Sequence, residues 1–165
     1  MASELRVDKI IPVDGAPSSG GGGIVQIVKG GSNSRLDRGN NTGTYYNTYV
    51  NATITPKFNT SKILIQTTQV SDNSAGGRQL YLTIQRSIGG ASYSNIIGGS
   101  EGGYSASYDA GDRCIETANI TFLDSPSTTS AVTYKVYGKN SGSGDSTAVG
   151  GQNTEQIMVL MEVSA

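Results

Sequence analysis

Asp109, Asp112 and Glu116 are the residues whose type and spacing come nearest to a reaction centre in this sequence. A glycoside-cleaving site needs two carboxyl groups held about 5 to 9.5 Å apart across a sugar, one acting as acid and the other as base or nucleophile. Three acids so close in sequence could supply such a pair. Asp109 and Asp112, however, flank Gly111, and short acidic residues beside glycine ordinarily close turns through their own backbone. Neither EF-hand spacing nor another dense pattern of oxygen ligands accompanies them, so the loop is expected neither to catalyse nor to hold calcium or magnesium.

Other chemistries are removed by composition. The chain has no histidine, which excludes Ser-His-Asp and Cys-His nucleophile pairs, histidine zinc sites and HExxH motifs. Its single cysteine, Cys114, can form neither an internal disulfide nor a thiolate cluster, and it reads as a small hydrophobe within a strand. No GxxxxGK[ST] loop is present, and the Gly20–Gly23 and Gly98-Gly99 strings adjoin no helix start, so they read as linker and loop. The chain is therefore expected to be no enzyme and to need no cofactor or metal.

Nine tyrosines remain as candidates for recognition. Tyrosine offers a flat rigid face and one polar tip at low entropic cost, which suits contact with sugars and protein surfaces. Tyr46, Tyr81, Tyr134 and Tyr137 fall in alternating segments and are expected to pack. Tyr93, Tyr104 and Tyr108 sit among glycine and serine and are the expected receptor or glycan contacts.

The elements that must position these residues are strands. Glycine fills 23 of 165 positions, charged residues only 15%, and serine, threonine and asparagine abound, a mixture suited to pleated segments and turns. Tyr46, Thr48, Val50, Ala52 and Ile54 alternate with polar neighbours, as do Leu80, Leu82 and Ile84, then Cys114 to Phe122, then Val132, Tyr134 and Val136. Lys62–Val70 forms a further strand, joined to Tyr46–Ile54 by a hairpin-like turn at Pro56, while 30–43 and 138–151 read as turn-rich loops. Between Ala91 and Gly111 the pattern weakens to one or two short strands. Gln156–Val163, apolar on both faces, belongs in the middle of a sheet. No helical period of ten residues occurs. About eight strands with turns between them give an all-β antiparallel sandwich, jelly-roll-like, with an extended N-terminal arm.

Residues 1–23 form that arm and its glycine linker, and 24–165 the sandwich head. No run approaches the ~20 apolar residues of a membrane span, and the start of the chain lacks a basic tip followed by an apolar stretch, so neither insertion nor export by signal peptide is expected. Lys and Arg total 12 against 13 Asp and Glu, with no run of either sign, so nucleic acid is not an expected partner.

Three stretches carry a resemblance: Ser3-Glu4-Leu5-Arg6-Val7-Asp8-Lys9-Ile10-Ile11-Pro12 with the following glycines, Thr55-Pro56 through Ser61-Lys62-Ile63-Leu64-Ile65, and Phe122-Leu123-Asp124-Ser125-Pro126 through Thr133-Tyr134-Lys135-Val136. In that order they resemble small tail-fibre-like or decoration proteins of marine and freshwater tailed phages, including cyanophages. The resemblance implies an arm that anchors to the virion and a sandwich that forms a homotrimer at the virion surface. Leu5, Val7, Ile10 and Ile11 would be the anchoring residues, contributing at most roughly 6 to 12 kcal/mol before ordering costs. The partners implied are other head, collar or tail proteins and, for a host-attachment role, a host surface glycan. A cement or decoration subunit without receptor binding is the alternative, and a polysaccharide depolymerase using Asp109 or Glu116 a more distant one.

Overall fold

The computed structural model describes residues 23–39, 44–73, 78–97, 103–109, 114–140, 146–149 and 154–164. Among them are strands β1 (Ile24–Ser32), β2 (Leu36–Gly39), β3 (Tyr46–Ile54), β4 (Lys62–Asn73), β5 (Arg78–Ile88), β6 (Ser94–Asn95), β7 (Ser105–Asp109), β8 (Cys114–Asp124), β9 (Val132–Asn140), β10 (Ser146–Val149) and β11 (Gln156–Val163), with no helix. The anchoring residues Leu5, Val7, Ile10 and Ile11 lie outside the described residues.

With the short β2, β6 and β10 set aside, the strands pair antiparallel from the ends of the chain inward: β1 with β11, β3 with β9, β4 with β8, β5 with β7. That is one long hairpin. Rolling it over sets β11 beside β4 and β5 beside β9. The result is two sheets, β1-β11-β4-β8 and β3-β9-β5-β7, the arrangement of a jelly roll. β10 continues the place of β11 along the upper end of β4 and carries β2, while β6 extends β5 beyond β7.

The period of two decides what lies between the sheets. Ile63 and Ile65 of β4 with Met158 and Leu160 of β11 face Val50 and Ile54 of β3, Leu80, Leu82 and Ile84 of β5, and Val132, Tyr134 and Val136 of β9, all essentially inaccessible. Each such side chain contributes roughly 1.5 to 3 kcal/mol by leaving water. Two glycines permit close approach, one between the sheets and one within the second sheet. A side chain on Gly30 would meet the Asn51 carbonyl oxygen of β3 at 2.1 Å, and one on Gly138 would meet the ring of buried Tyr46 at 2.9 Å.

Two polar straps hold the sandwich across strands distant in sequence. The buried Glu162 carboxylate accepts from Gln26 Nε2 at 2.6 Å and from the Lys57 and Phe58 amides at 2.7 and 3.3 Å, tying β1 and the β3–β4 connection to β11. Asp124, at the end of β8, accepts from Arg86 of β5 at 2.8 and 2.9 Å and from the Tyr134 hydroxyl of β9 at 2.7 Å, so one carboxylate joins the two sheets. Burial and the adjacent Asp124 charge push the Tyr134 hydroxyl well above its ordinary pKa.

Several boundaries match the sequence reading and several do not. β3 and β11 span the expected residues, and β11 lies between β1 and β4 as its two apolar faces require. The expected hairpin between β3 and β4 is not formed: they lie in opposite sheets, and 55–61 crosses from one to the other. Pro56, which has no amide to give a ladder, is buried inside that crossing. The turn-rich stretches also hold more strand than expected, since β1 runs through Gly30-Gly31 and both β2 and β10 form. Short polar strands pair there because β4 is long enough to offer them an edge.

Candidate functional site

Of the described surface, the outer face of the second sheet concentrates the side chains suited to recognition. β9 buries Val132, Tyr134 and Val136 and therefore turns Thr133, Lys135, Tyr137 and Lys139 outward. The ladder places Tyr81 of β5 opposite Lys139 and Gln85 opposite Lys135, while β3 sets Asn47 opposite Tyr137. Tyrosines and lysines thus share one surface drawn from three strands and their flanking segments.

Their geometry is specific. The Lys139 ammonium sits 5.1 Å from the ring centroid of Tyr45 and 5.4 Å from that of Tyr81, and Lys135 lies 4.8 Å from the centroid of Tyr93. Tyr93 and Tyr137 pack with centroids 5.8 Å apart and planes inclined at 50°. A cation within about 6 Å of a ring centroid is held by the ring quadrupole, worth roughly 0.5 to 1 kcal/mol at an exposed site. Partial burial raises the Tyr137 hydroxyl above its ordinary pKa, with Lys135 pulling in the opposite direction.

Local backbone explains how two of these rings arrive. Gly89 and Gly90 take φ of +59° and +81°, a conformation open to glycine, and nothing crowds either position, so it is the turn rather than space that selects them. The Gly89 amide bonds the Ala131 carbonyl at 2.8 Å, and the chain folds back to bring Tyr93 over β9. On β3 the register shifts between Asn47 and Asn51, and Tyr49 at that bulge has φ of +68°. Its amide donates to Asn47 Oδ1 at 2.9 Å, and Asn51 Nδ2 donates to its carbonyl at 2.8 Å. Two asparagines therefore brace a strained residue that is 45% exposed.

The residues singled out in the sequence fare unequally. Tyr93 belongs to this face. Tyr104 does not behave as an exposed recognition residue: its ring packs against the core, and its buried hydroxyl has no hydrogen-bond partner among the described residues. Burial raises the Tyr104 pKa strongly. Its amide bonds the Leu82 carbonyl at 2.7 Å, which holds Tyr104 against β5 where loop exposure was expected. Tyr108 lies on β7 opposite Gln79, and its side chain is outside the described residues. Tyr46 and Tyr134 are buried, as expected, but Tyr81 and Tyr137 point outward. The signal for them was available in the parity of Thr133, Lys135, Tyr137 and Lys139 against the apolar positions of β9.

Of the acids, Glu116 is exposed on β8 opposite Ser71, Asp109 ends β7 opposite Arg78, and Asp112 lies outside the described residues. Among the described residues no three of Cys, Asp and Glu are grouped to hold a metal ion. Cys114 is half-buried at the start of β8.

The outer face of the first sheet has a different character. Ile27, Met161, Leu64 and Leu123 are successive partners across β1, β11, β4 and β8, forming one apolar row over the full width of the sheet. Ile27 is 61% and Leu123 48% exposed. Ile24, also exposed, and Val163 continue the row toward the point where residues 1–22 enter at Gly23, whose carbonyl accepts from the Ser164 amide at 3.0 Å.

No protein-family model matches the sequence, and no curated protein matches it. Among solved structures, the chain is similar to VP2 of infectious bursal disease virus in its subviral particle, with 14% identity over 84% of this chain and a TM-score of 0.40. It is also similar to a structure of the Gx strain of the same virus, with 14% identity over 99% of this chain and a TM-score of 0.43. The chain spans 39% and 43% of those chains, less than half of either. Neither likeness carries an inference about function.

Proposed function

We propose that this chain is a non-enzymatic structural subunit of a tailed-phage particle, anchored by residues 1–23 and associating as a homotrimer through the outer face of its first sheet. The second sheet then faces away from the particle and meets the host surface. The observation that carries this reading is the unbroken row Ile27, Met161, Leu64 and Leu123 beside the entry of the arm. A soluble monomer ordinarily turns polar side chains outward from a sheet face, and a contiguous apolar patch rimmed by polar residues marks a contact surface.

Size limits what the row can do alone. Four strands at ~4.8 Å spacing and about eight residues at ~3.4 Å each outline a sheet face of roughly 500 Å², of which the row is only a part. A standard interface buries about 800 Å² on each partner. Contact between heads should therefore be weak and concentration-dependent, with the arms supplying the rest through effective concentration on a common particle.

Light scattering and incorporation into particles test both halves of the proposal. The full chain is expected to become a trimer at high micromolar concentration, Leu123→Glu to remain a monomer of unchanged fold, and a chain lacking residues 1–23 to be a head that no longer joins particles. A monomeric wild type at high micromolar concentration, or an arm-less chain that still incorporates, overturns it.

A further inference from the structure

Resting on the displayed-face reading above, we infer that the outer face of the second sheet binds an acidic polysaccharide, with tyrosine faces stacking on sugar rings and Lys135 receiving a carboxylate or sulfate group. A flat sheet surface suits an extended polymer better than a small molecule, whose sites are concave clefts. Lys135 and Lys139 lie four residues apart on one face of β9, about 13 Å along the strand, a span of a few linked rings. Tyr137 projects between them, and its ring and that of Tyr93 are inclined at 50°, offering two differently tilted platforms.

The cations point to the sign of the ligand. Lys135 makes no ion pair with a described carboxylate, and its ammonium is held over Tyr93 rather than folded onto an acid. An ammonium has three donors, and a ring face engages it from one side only, so hydrogens remain for an anion. Lysine held in place by a ring also loses less side-chain freedom on binding. Nucleic acid is the less favoured polymer: two lysines neutralise few phosphates compared with the six to ten contacts on which strong duplex binding commonly rests, though the rings could stack bases.

Titration calorimetry of the full chain at low salt discriminates the ligands. Alginate oligosaccharide supplies carboxylates on sugar rings, dextran sulfate supplies sulfates, dextran is neutral, poly-glutamate is anionic without rings, and oligo-thymidylate represents single-stranded nucleic acid. Binding of alginate or dextran sulfate about tenfold or more tighter than dextran is expected, the tighter of the two naming the anion. Lys135→Gln should weaken it by about fivefold and Tyr137→Ala by about tenfold, Lys135→Arg by less than about twofold, with melting temperatures confirming that each variant is folded. Equal binding of dextran overturns the role of charge, and equal binding of poly-glutamate reduces the face to ion exchange. Tighter binding of oligo-thymidylate replaces the ligand class, and binding of none of the probes ends the proposal. Trimer formation and incorporation would be unaffected by any of these failures, so the two readings fail separately.

Discussion

Where β11 turns Ile157, Val159, Met161 and Val163 outward, β9 turns Thr133, Lys135, Tyr137 and Lys139 outward. Both strands are central, both bury the opposite set of residues against one core, and both obey the same period of two. The inner parity is fixed by folding, whereas the outer parity is free to encode contact. On one side that freedom yields an apolar row across four strands, and on the other a lattice of rings and ammonium groups. The two faces thus differ in chemical character, hydrocarbon against rings and ammonium groups, although the same backbone geometry displays them.

The largest expected effect comes from removing the strand that serves both layers. A chain ending at Gly151 loses Met158 and Leu160 from the core, two ladders and the Glu162 strap. It is expected to lack a cooperative melting transition by circular dichroism, and a sharply melting truncate would contradict the central placement of β11. Next in size is Glu162→Ala, which leaves Gln26 and two backbone amides without their carboxylate. Hydrogen bonds to charged groups contribute about 1.5 to 3 kcal/mol, and a loss of roughly 3 kcal/mol is expected in urea unfolding. Since this strap lies inside the sandwich, neither face should change its partner preference.

Raising the pH separates the core from both faces. Tyr104 and Tyr134 hold their protons more tightly when folded than in the unfolded chain, where the value is 10.0. Their contribution is therefore complete below pH 10 and is lost progressively as the pH rises beyond it. Melting temperature should fall from pH 10 upward. Tyr104→Phe should make that fall shallower while changing stability at pH 7 by no more than about 1 kcal/mol, because its hydroxyl has no described partner to lose. The smallest effect is expected of Tyr49→Gly. Relief of the positive φ should stabilise the head by about 1 kcal/mol or less, read as a small rise in melting temperature, while removing one exposed ring from the outer face of the second sheet.

The sandwich was legible because its core parity is written in runs such as Tyr46 to Ile54 and Val132 to Val136, where every second residue is buried. Pairing was less legible. Nothing in Tyr46–Ile54 and Lys62–Val70 announces that they belong to opposite sheets, because adjacency in sequence suggests a hairpin and only the nested roll, fixed by residues up to a hundred positions away, forbids it. The site was half legible for a related reason. Tyrosines among glycines looked exposed, yet Tyr104 is drawn inward by a backbone bond to β5. Tyr81 and Tyr137 alternate with core residues, which suggests packing, yet they occupy the other parity of their strands. The two straps are not legible in the sequence, because Asp124 meets Arg86 and Glu162 meets Gln26 on strands distant along the chain.

Light scattering over a concentration series, applied side by side to Leu123→Glu and Tyr137→Ala in the full chain, tests the division of labour between the faces most directly. The account predicts that the first variant is a monomer at concentrations where the wild type is a trimer, and that the second remains a trimer. Two trimers, or dissociation by Tyr137→Ala with Leu123→Glu unaffected, would contradict it.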